Sequence, residues 1–258
     1  MAEAKQRVAV VTGGLAGIGL SIARKLAEDG LKVAIGARRG DDPAMREMAV
    51  REVSEGTFVA GLDVCDEGSV EGFCRSVEDA LGPIDILVNA AGITIHHTVS
   101  GHGLKDWEQV IDTNLTGPFL TTRATLPGMI ERGWGRIVNI ASTAAKSAVA
   151  DHPAYCASKA GLLGLTRAVA LEGAPHGVSC VSVSPTWVET EMLRSSAVIM
   201  AKEHGHSVED EIAALAKANP QNRLVQPEEI AALVAFLCSD AAPALTMEDI
   251  SVNAGAHW

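Results

Sequence analysis

Two side chains able to exchange a proton stand four residues apart in the second half of the sequence. The stretch AYCASK, residues 154–159, holds the only tyrosine of the chain, Tyr155, followed by Lys159. On a helix this spacing puts both side chains on one face, where an ammonium favours the ionised form of a phenol. Such a tyrosine suits general acid/base chemistry, the transfer of a proton to or from a reacting group. A packed phenol beside a solvated lysine has the same spacing, so the surrounding elements must decide.

Seven short apolar segments predict the strands that position this pair. They are apolar on both faces, as buried parallel strands are, and they read RVAVV, KVAIG, TFVAGLD, IDILVNAAG, GRIVNIAS, VSCVSVSP and DISVNAG. Stretches of helical period separate them, which predicts one α/β domain over residues 1–258 with a doubly wound parallel sheet and helices on both faces. Ligands bind such sheets beyond the carboxyl ends of the strands. We interpret the irregular segment at about 186–226 as a helical lid over that edge.

A glycine-rich turn follows the first predicted strand and opens a helix. In TGGLAGIG, residues 12–19, the glycines at 13, 17 and 19 allow a tight turn and a close approach of the backbone to a phosphate. The helix N-terminus that follows attracts the anion. This context favours a dinucleotide-binding turn over a merely structural strand–helix connection.

The end of the second predicted strand bears on which dinucleotide is bound. In dinucleotide-binding folds an acidic residue at this place binds the ribose 2′-hydroxyl. The sequence here is IGARRG, with Ala37 near the place of the acid and Arg38 and Arg39 after it. Guanidinium groups bind a 2′-phosphate, which predicts a preference for NADP(H), with NAD(H) still possible. The alternative is that both arginines are solvated loop charges.

Charge and cysteine content restrict the class of protein. The chain of 258 residues has a net charge of −11, whereas nucleic-acid binding requires clustered Lys and Arg. Its five cysteines form no CxxC pair and make a poor disulfide framework, which favours a reducing compartment. The first apolar run is too short for a signal peptide, and no run reaches transmembrane length. We expect a cytoplasmic protein that does not bind nucleic acid or cross a membrane.

Six motifs in order along the chain resemble those of the short-chain dehydrogenase/reductase family. They are the Thr-Gly-x3-Gly-Ile-Gly turn at 12–19, NAAG at 89–92, Asn114 in DTNLTG, Ser142 in NIAST, the Tyr155-x3-Lys159 pair and SPTWVET at 184–190. The resemblance covers essentially the whole chain and extends to bacterial ketoreductases of the 3-oxoacyl, polyketide and 3-hydroxybutyrate type. It implies a Rossmann fold, NAD(P)(H)-dependent interconversion of a ketone and a secondary alcohol, and a homotetramer.

The resemblance also implies roles for four polar residues. Tyr155 would be the proton donor and acceptor, and Ser142 would hold the substrate oxygen towards it. Lys159 would favour phenolate and bind the nicotinamide ribose. Asn114 would hold a water that links this lysine to solvent. Each residue also has a plainer structural reading, such as a helix cap for Asn114 or a loop hydroxyl for Ser142.

Cofactor contacts carried over from the family are predicted at fifteen positions. They are Gly13, Leu15, Gly17, Ile18, Gly19, Arg38, Asp63, Val64, Asn89, Gly92, Tyr155, Lys159, Pro185, Val188 and Thr190. Two positions depart from the family pattern: Ala90 replaces the second Asn of the usual NNAG, and Thr186 replaces a glycine. Thr186 stiffens the chain beside the nicotinamide and adds a hydroxyl and a methyl group near the substrate.

The predicted substrate pocket is mostly apolar. Its walls are expected to include Thr94, Ile95, His96, Ala144, His152, Trp187 and Met192. An apolar pocket with an aromatic wall suits a medium-sized ketone or secondary alcohol. A 3-oxoacyl or other anionic substrate remains open, because Arg194 or a histidine could supply the cation. No metal is expected, since the histidines at 96, 97 and 102 lack regular ligand spacing and hydride transfer needs none.

Two other functions are compatible with parts of this sequence, and the resemblance implies an assembly. A regulator that binds a dinucleotide without catalysis would use the same fold, but it would be expected to lose Tyr155, Lys159 or Ser142. An enoyl reductase usually has a longer spacing between the tyrosine and the lysine. The expected tetramer would form through the predicted helices at 103–131 and 153–172 and the last strand, with Trp258 against a neighbouring subunit.

Overall fold

Seven parallel strands form one sheet in the computed structural model, which describes residues 6–256. The strands are β1 Val8–Thr12, β2 Lys32–Ala37, β3 Phe58–Gly61, β4 Ile84–Asn89, β5 Gly135–Ile140, β6 Val178–Pro185 and β7 Asp249–Val252. Their order across the sheet is β3-β2-β1-β4-β5-β6-β7, and every neighbouring pair is parallel. The predicted doubly wound sheet is confirmed, and each predicted segment contains one strand.

Helices cover both faces of this sheet. They are α1 Gly17–Glu28, α2 Pro43–Glu52, α3 Glu67–Leu81, α4 Leu104–Ile111, α5 Gly117–Arg132, α6 Pro153–Gly173, α7 Glu191–His204, α8 Val208–Ala218 and α9 Pro227–Cys238. On one face, α1 and α9 bury Ile22 and Val234 against the strands. On the other face, α3, α5 and α6 bury Phe73, Met129 and Val169. Because both faces are covered, the strands are apolar throughout, as the sequence suggested.

The order of the strands reverses direction at β1 and β4, which creates a crevice at their carboxyl ends. Thr12 ends β1 and pairs in register with Asn89, the last residue of β4. The Thr12 hydroxyl accepts hydrogen bonds from the backbone N–H groups of Ala90, at 3.2 Å, and Ala91, at 3.1 Å. One side chain therefore fixes the two loops that border the crevice.

The region predicted as one long helix at 103–131 contains an irregular turn. Between α4 and α5 lies a π-helical turn, Asp112–Thr116, in which the backbone N–H of Gly117 bonds to the Asp112 carbonyl five residues earlier. Pro118 follows and has no N–H to continue regular helical bonding. The second predicted helix, at 153–172, corresponds to α6 without interruption.

The 186–226 segment contains α7 and α8 and leads into α9. A small apolar cluster of Leu193, Leu215 and Leu224 packs these helices together. None of the helices within residues 6–256 has the length and apolarity needed to cross a bilayer. Trp258, expected against a neighbouring subunit, lies outside the described residues.

Candidate active site

Tyr155 and Lys159 lie in the first two turns of α6, which begins with Pro153 after a bend at His152. Lys159 is 5% exposed, and its ammonium group donates a hydrogen bond to the carbonyl of Ile140, the last residue of β5, at 2.7 Å. Its Nζ atom is 5.6 Å from the centre of the Tyr155 ring. The helix spacing and the end of β5 therefore hold the ammonium beside the phenol.

Ser142 completes this group from the loop after β5. Its backbone is extended, and its Oγ accepts a hydrogen bond from the N–H of Ala144 at 3.1 Å, which caps a short 3₁₀ turn. The serine therefore has a local structural role in its loop, beyond the loop hydroxyl that the plainer reading assigned to it. Its side chain nevertheless lines the same cavity of about 140 Å³ as Tyr155 and Lys159. The two roles do not compete, because the hydroxyl still has its proton to donate.

Asn114 lies fully buried in the π-helical turn and connects two parts of the site. Its Oδ1 accepts from the Ile93 N–H at 2.9 Å, and its Nδ2 donates to the Ile93 carbonyl at 2.9 Å and to Ser158 Oγ at 3.1 Å. Both amide protons are therefore used within the protein. A water could reach this side chain only through the second lone pair of Oδ1. The amide joins the loop after β4 to α6, one residue before Lys159.

Burial shifts the pKa values of the two proton-exchanging groups in opposite directions. Burial lowers the pKa of Lys159 to about 8. It raises the pKa of the Tyr155 phenol, and a hydrogen bond with Ser142 only partly opposes the rise. In the protein alone the tyrosine is therefore a protonated phenol near neutral pH. The predicted shift of the phenol towards ionisation by the lysine charge is therefore not found in the protein alone, because desolvation of the phenolate is the larger effect on its pKa.

A second cleft of about 480 Å³ adjoins the first and is lined by the glycine-rich turn. Gly13 has a φ of +68°, and a Cβ there would lie 2.8 Å from Ala91 Cα. A Cβ on Gly19 would lie 2.5 Å from the Gly13 carbonyl oxygen. The turn can close against α1 and the β4 loop only with these glycines. Ala16 caps α1 without a side-chain hydrogen bond, so the first N–H groups of the helix remain available to an anion.

Most predicted cofactor positions lie along these two clefts. Those lining one or both are Gly13, Gly17, Ile18, Gly19, Gly92, Tyr155, Lys159, Pro185, Val188 and Thr190. Leu15, Arg38, Asp63, Val64 and Asn89 do not line them. Asn89 is 2% exposed, and its side chain bonds to Asn139 and Thr121 at 2.9 and 2.7 Å. Its amide therefore supports the end of β4 and does not point into the cleft.

Five of the seven predicted pocket residues border the clefts. They are Thr94, His96, His152, Trp187 and Met192. Ile95 and Ala144 do not border them, and Ala144 is only 2% exposed because its turn packs inward. Three further residues that line the cavity were not predicted: Thr143, Val149 and Ser196. Ser196 was within reach of sequence reasoning, since it follows Met192 by four residues on a predicted helix.

The cavity around Tyr155 is nearly free of charge. Within residues 6–256, Lys159 is the only lysine or arginine among the side chains that line it. His152 is buried, and its Nδ1 lies 2.6 Å from the Ala150 carbonyl, so this nitrogen carries the proton. Burial lowers the pKa of His152, which keeps the imidazole neutral. Arg194 lies outside, exposed and 3.3 Å from Glu189.

Two buried hydroxyl oxygens at the cavity have no hydrogen-bond partner among the described residues, Thr94 Oγ1 and Thr186 Oγ1. Thr186, the predicted departure from the family pattern, has its backbone N–H bonded to the Val252 carbonyl at 3.2 Å. Buried hydroxyls in proteins normally have partners. Together with the glycine turn, they fit a cavity that receives a polar ligand such as a dinucleotide.

Comparisons with known proteins agree with this geometry. The family model described as short chain dehydrogenase matches residues 7–198. An acetoacetyl-CoA reductase of Allochromatium vinosum is 38% identical over 251 residues, 96% of this chain and 98% of the relative. A D-beta-hydroxybutyrate dehydrogenase of Cupriavidus necator is 37% identical and covers 92% of both chains. A crystal structure of a variant actinorhodin polyketide ketoreductase with NADPH matches with a TM-score of 0.93 and 37% identity, over 99% of this chain and 98% of that one.

Proposed function

The chain belongs to the short chain dehydrogenase family and is an oxidoreductase, and from that starting point we propose that it reduces neutral ketones to secondary alcohols and catalyses the reverse reaction. The observation that carries the proposal is the group formed by Tyr155, Lys159 and Ser142 around one cavity. A bound nicotinamide dinucleotide supplies or accepts the hydride. The side chains of the cavity hold the oxygen and exchange its proton.

Each member of the group has a distinct task. Ser142 donates a hydrogen bond to the substrate oxygen and orients it. Tyr155 gives its phenolic proton to the same oxygen as negative charge develops there during reduction. Lys159 limits the cost of the phenolate that remains, because its ammonium is fixed by the Ile140 carbonyl at 2.7 Å. Asn114 positions these groups by tying the β4 loop to α6.

We also propose that NADP(H) is preferred over NAD(H). Arg38 directly follows β2, is exposed and has no ion pair within residues 6–256. Arg39, in contrast, lies 2.9 Å from the Asp42 carboxylate. The free guanidinium of Arg38 is therefore the group best placed to bind a 2′-phosphate, and β2 ends in Ala37 with no carboxylate to repel it.

Substituting alanine for Arg38 tests this preference. Loss of one charge-assisted hydrogen bond costs about 1.5–3 kcal/mol, so Arg38→Ala is expected to raise the KM for NADPH about tenfold or more while leaving that for NADH nearly unchanged. Initial rates with both cofactors measure the effect, and Arg39→Ala serves as the matched control with a smaller change. A wild-type preference for NADH, or equal losses with both cofactors, would contradict the assignment.

The electrostatics of the site favour a neutral substrate. Among the described residues that line the cavity, Lys159 is the only lysine or arginine, and its ammonium group is hydrogen-bonded to the Ile140 carbonyl. Two carboxylates, Asp151 and Glu203, lie 3.9 and 3.8 Å from the His96 ring beside it. These groups disfavour a carboxylate or a coenzyme A thioester, although relatives include acetoacetyl-CoA reductases. An alicyclic or aromatic ketone fits the apolar walls.

A panel of carbonyl compounds distinguishes these possibilities. With NADPH, bulky neutral ketones are expected to give a higher kcat/KM than keto acids or acetoacetyl-CoA of similar size. The measurement is the initial rate of NADPH oxidation by the purified protein. Faster turnover of the anionic substrates would refute the neutral class. No turnover of any carbonyl, with NADPH still bound, would favour the dinucleotide-binding regulator instead.

The family expectation of a homotetramer remains a proposal, as does a cytoplasmic location. Exposed large apolar side chains on three helices support association: Leu104 and Trp107 on α4, Phe119 on α5 and Leu171 on α6. The five cysteines are free thiols, as a reducing compartment favours. Nothing in the net charge of −11 favours nucleic acid as a partner.

A further inference from the structure

A cluster of three side chains unrelated to the catalytic cavity joins α7 to α8. His204 ends α7, His206 lies in the connecting turn, and Glu211 belongs to the first turns of α8. His204 Nδ1 is 2.8 Å and His206 Nε2 is 2.6 Å from the same carboxylate oxygen, Oε2 of Glu211. The three atoms lie within 4.8 Å of one another. We propose that this cluster is a binding site for Zn²⁺ or a similar divalent transition-metal ion.

The types of ligand suit such an ion. Two imidazole nitrogens and one carboxylate oxygen are ligands that Zn²⁺ commonly takes, at about 2.0–2.2 Å from the metal. Ligand atoms around a tetrahedral ion at those lengths are about 3.3 Å apart. The present contacts of 2.8 and 2.6 Å would have to widen to about that distance. His204 and His206 are exposed enough to move, with 54% and 36% of their side chains accessible.

The burial of Glu211 supports a metal ligand more than a surface ion pair. Glutamate is almost never fully buried unless it is paired, and within residues 6–256 the two histidines are the side-chain partners of the Glu211 carboxylate, whose residue is 3% exposed. Its carboxylate is therefore held in place before any ion arrives. The exposed faces of the two histidines leave the remaining coordination positions to water. Histidine residues bind as neutral imidazoles, so each ligating nitrogen gives up its proton to the other ring nitrogen or to solvent.

The backbone of the turn presents these ligands in a fixed arrangement. Gly205 has a φ of +75°, and its N–H and that of His206 both bond to the Ala201 carbonyl, at 2.9 and 3.1 Å. Ser207 caps α8 by accepting from the Asp210 N–H at 3.1 Å. Three further acidic residues, Glu203, Glu209 and Asp210, lie nearby in sequence and make the surroundings attractive to a cation.

A second cluster of similar composition does not carry the same argument. His96, Asp151 and Glu203 also place one ligand atom each within 4.8 Å of one another. His96 lines the dinucleotide cleft, however, and stacks on His152 with ring centres 4.7 Å apart. That cluster belongs to the active site described above, whereas the His204 cluster does not line either cleft. An ion bound at the His204 cluster would cross-link the C-terminal end of α7 to the start of α8, and Thr190 lies at the opposite end of α7.

The proposal is tested by metal binding to the full-length protein without a histidine tag, after treatment with a chelator. Titration with Co²⁺, followed by its visible absorption bands, and with Zn²⁺, followed by calorimetry, is expected to give one ion per chain with a micromolar Kd. Loss of an outer-shell partner weakens metal sites about 10–100-fold. Loss of a direct ligand in His206→Ala is therefore expected to weaken Co²⁺ binding at least about tenfold. Zn²⁺ should also raise the melting temperature of the wild type but not of this variant.

His176→Ala is the matched control. His176 is exposed in the short turn Ala174–His176, which belongs to neither α7 nor α8, so the variant should leave metal binding unchanged. Glu211→Gln provides a second test that keeps the shape of the buried side chain, with its melting temperature measured to confirm folding. No stoichiometric binding by the wild type would overturn the proposal. So would binding that survives His206→Ala, or binding that is lost in His96→Ala instead.

Discussion

Replacing Tyr155 by phenylalanine is expected to lower kcat for ketone reduction by about 10²–10⁴-fold, the usual contribution of a general acid or base. The change removes only the hydroxyl. The ring that packs near His152, with centres 6.5 Å apart, and beside Lys159 is retained. The proton must then come from water, which the apolar cavity admits poorly. Steady-state rates with NADPH and a neutral ketone give the measurement.

The control for this variant is the binding of NADPH, followed by fluorescence, together with the melting temperature. Both are expected to stay close to the wild-type values, because the dinucleotide cleft and the helix are intact. Since the chain has one tyrosine, no other phenol can replace it. If Tyr155→Phe retained more than about a tenth of wild-type kcat, a general acid would have to lie elsewhere.

Lys159→Met is expected to reduce kcat strongly and to alter the pH dependence of both activity and stability. Methionine fills a similar volume without the charge. In the wild type, kcat/KM for reduction should fall as pH rises through about 8, where the buried ammonium loses its proton. The variant should lack this limb, because the titrating group is gone. Lys202→Met, on the exposed side of α7, is the matched control and should keep the wild-type profile.

The same lysine links stability to pH with a defined sign. Its pKa falls from about 10.4 in the unfolded chain to about 8 in the folded protein. Between these values the unfolded state binds more protons, so this group makes the free energy of unfolding increase with pH, by about 3 kcal/mol in all. Its contribution is complete above the unfolded pKa and is lost as pH falls through about 8.

Other groups titrate in the same range, so the informative quantity is a difference. Burial raises the pKa of the Cys74 thiol to about 11 and that of Cys238 to about 12, and such groups lower stability as pH rises. Both are present in wild type and in Lys159→Met, and they cancel when the two unfolding curves are subtracted. Denaturant titrations at several pH values measure the free energy of unfolding of both proteins. The wild-type value minus the Lys159→Met value should increase with pH. A flat difference would mean that Lys159 is as well solvated as an ordinary surface lysine.

The sheet could be predicted from the sequence because its strands are buried on both faces. Segments such as IDILVN and VSCVSVSP have no polar face, and this pattern is typical of parallel strands under two layers of helices. The alternation with helical periods then fixes the doubly wound class. The π-helical turn at Asp112–Thr116 could not be predicted in the same way, since its residues are compatible with a regular helix.

The residues of the candidate site could be predicted where the backbone conformation requires one residue type. They were harder to predict where a side chain can form hydrogen bonds with several alternative partners. Gly13 and Gly19 line the cleft because no other residue fits. Asn89 and Asn114 have amides that many groups can bind, and both are occupied by internal hydrogen bonds. The side chain of Ala144 is buried because Ser142 caps a short turn, and no sequence pattern predicts that turn. These choices depend on contacts between distant segments, which a single sequence does not specify.

The π-helical turn also sets the rotational phase of the helix that follows it. An α-helix turns about 100° per residue, so the wider loop of Asp112–Thr116 acts as a one-residue insertion. Deleting a residue there would rotate α5 by about that angle. Leu120 would then take the exposed place of Phe119, and Phe119 and Arg123 would turn into the buried places of Pro118 and Thr122. Surface loops can change length at little cost in free energy. A change of length in this helical segment would instead rotate α5 and expose part of its buried face.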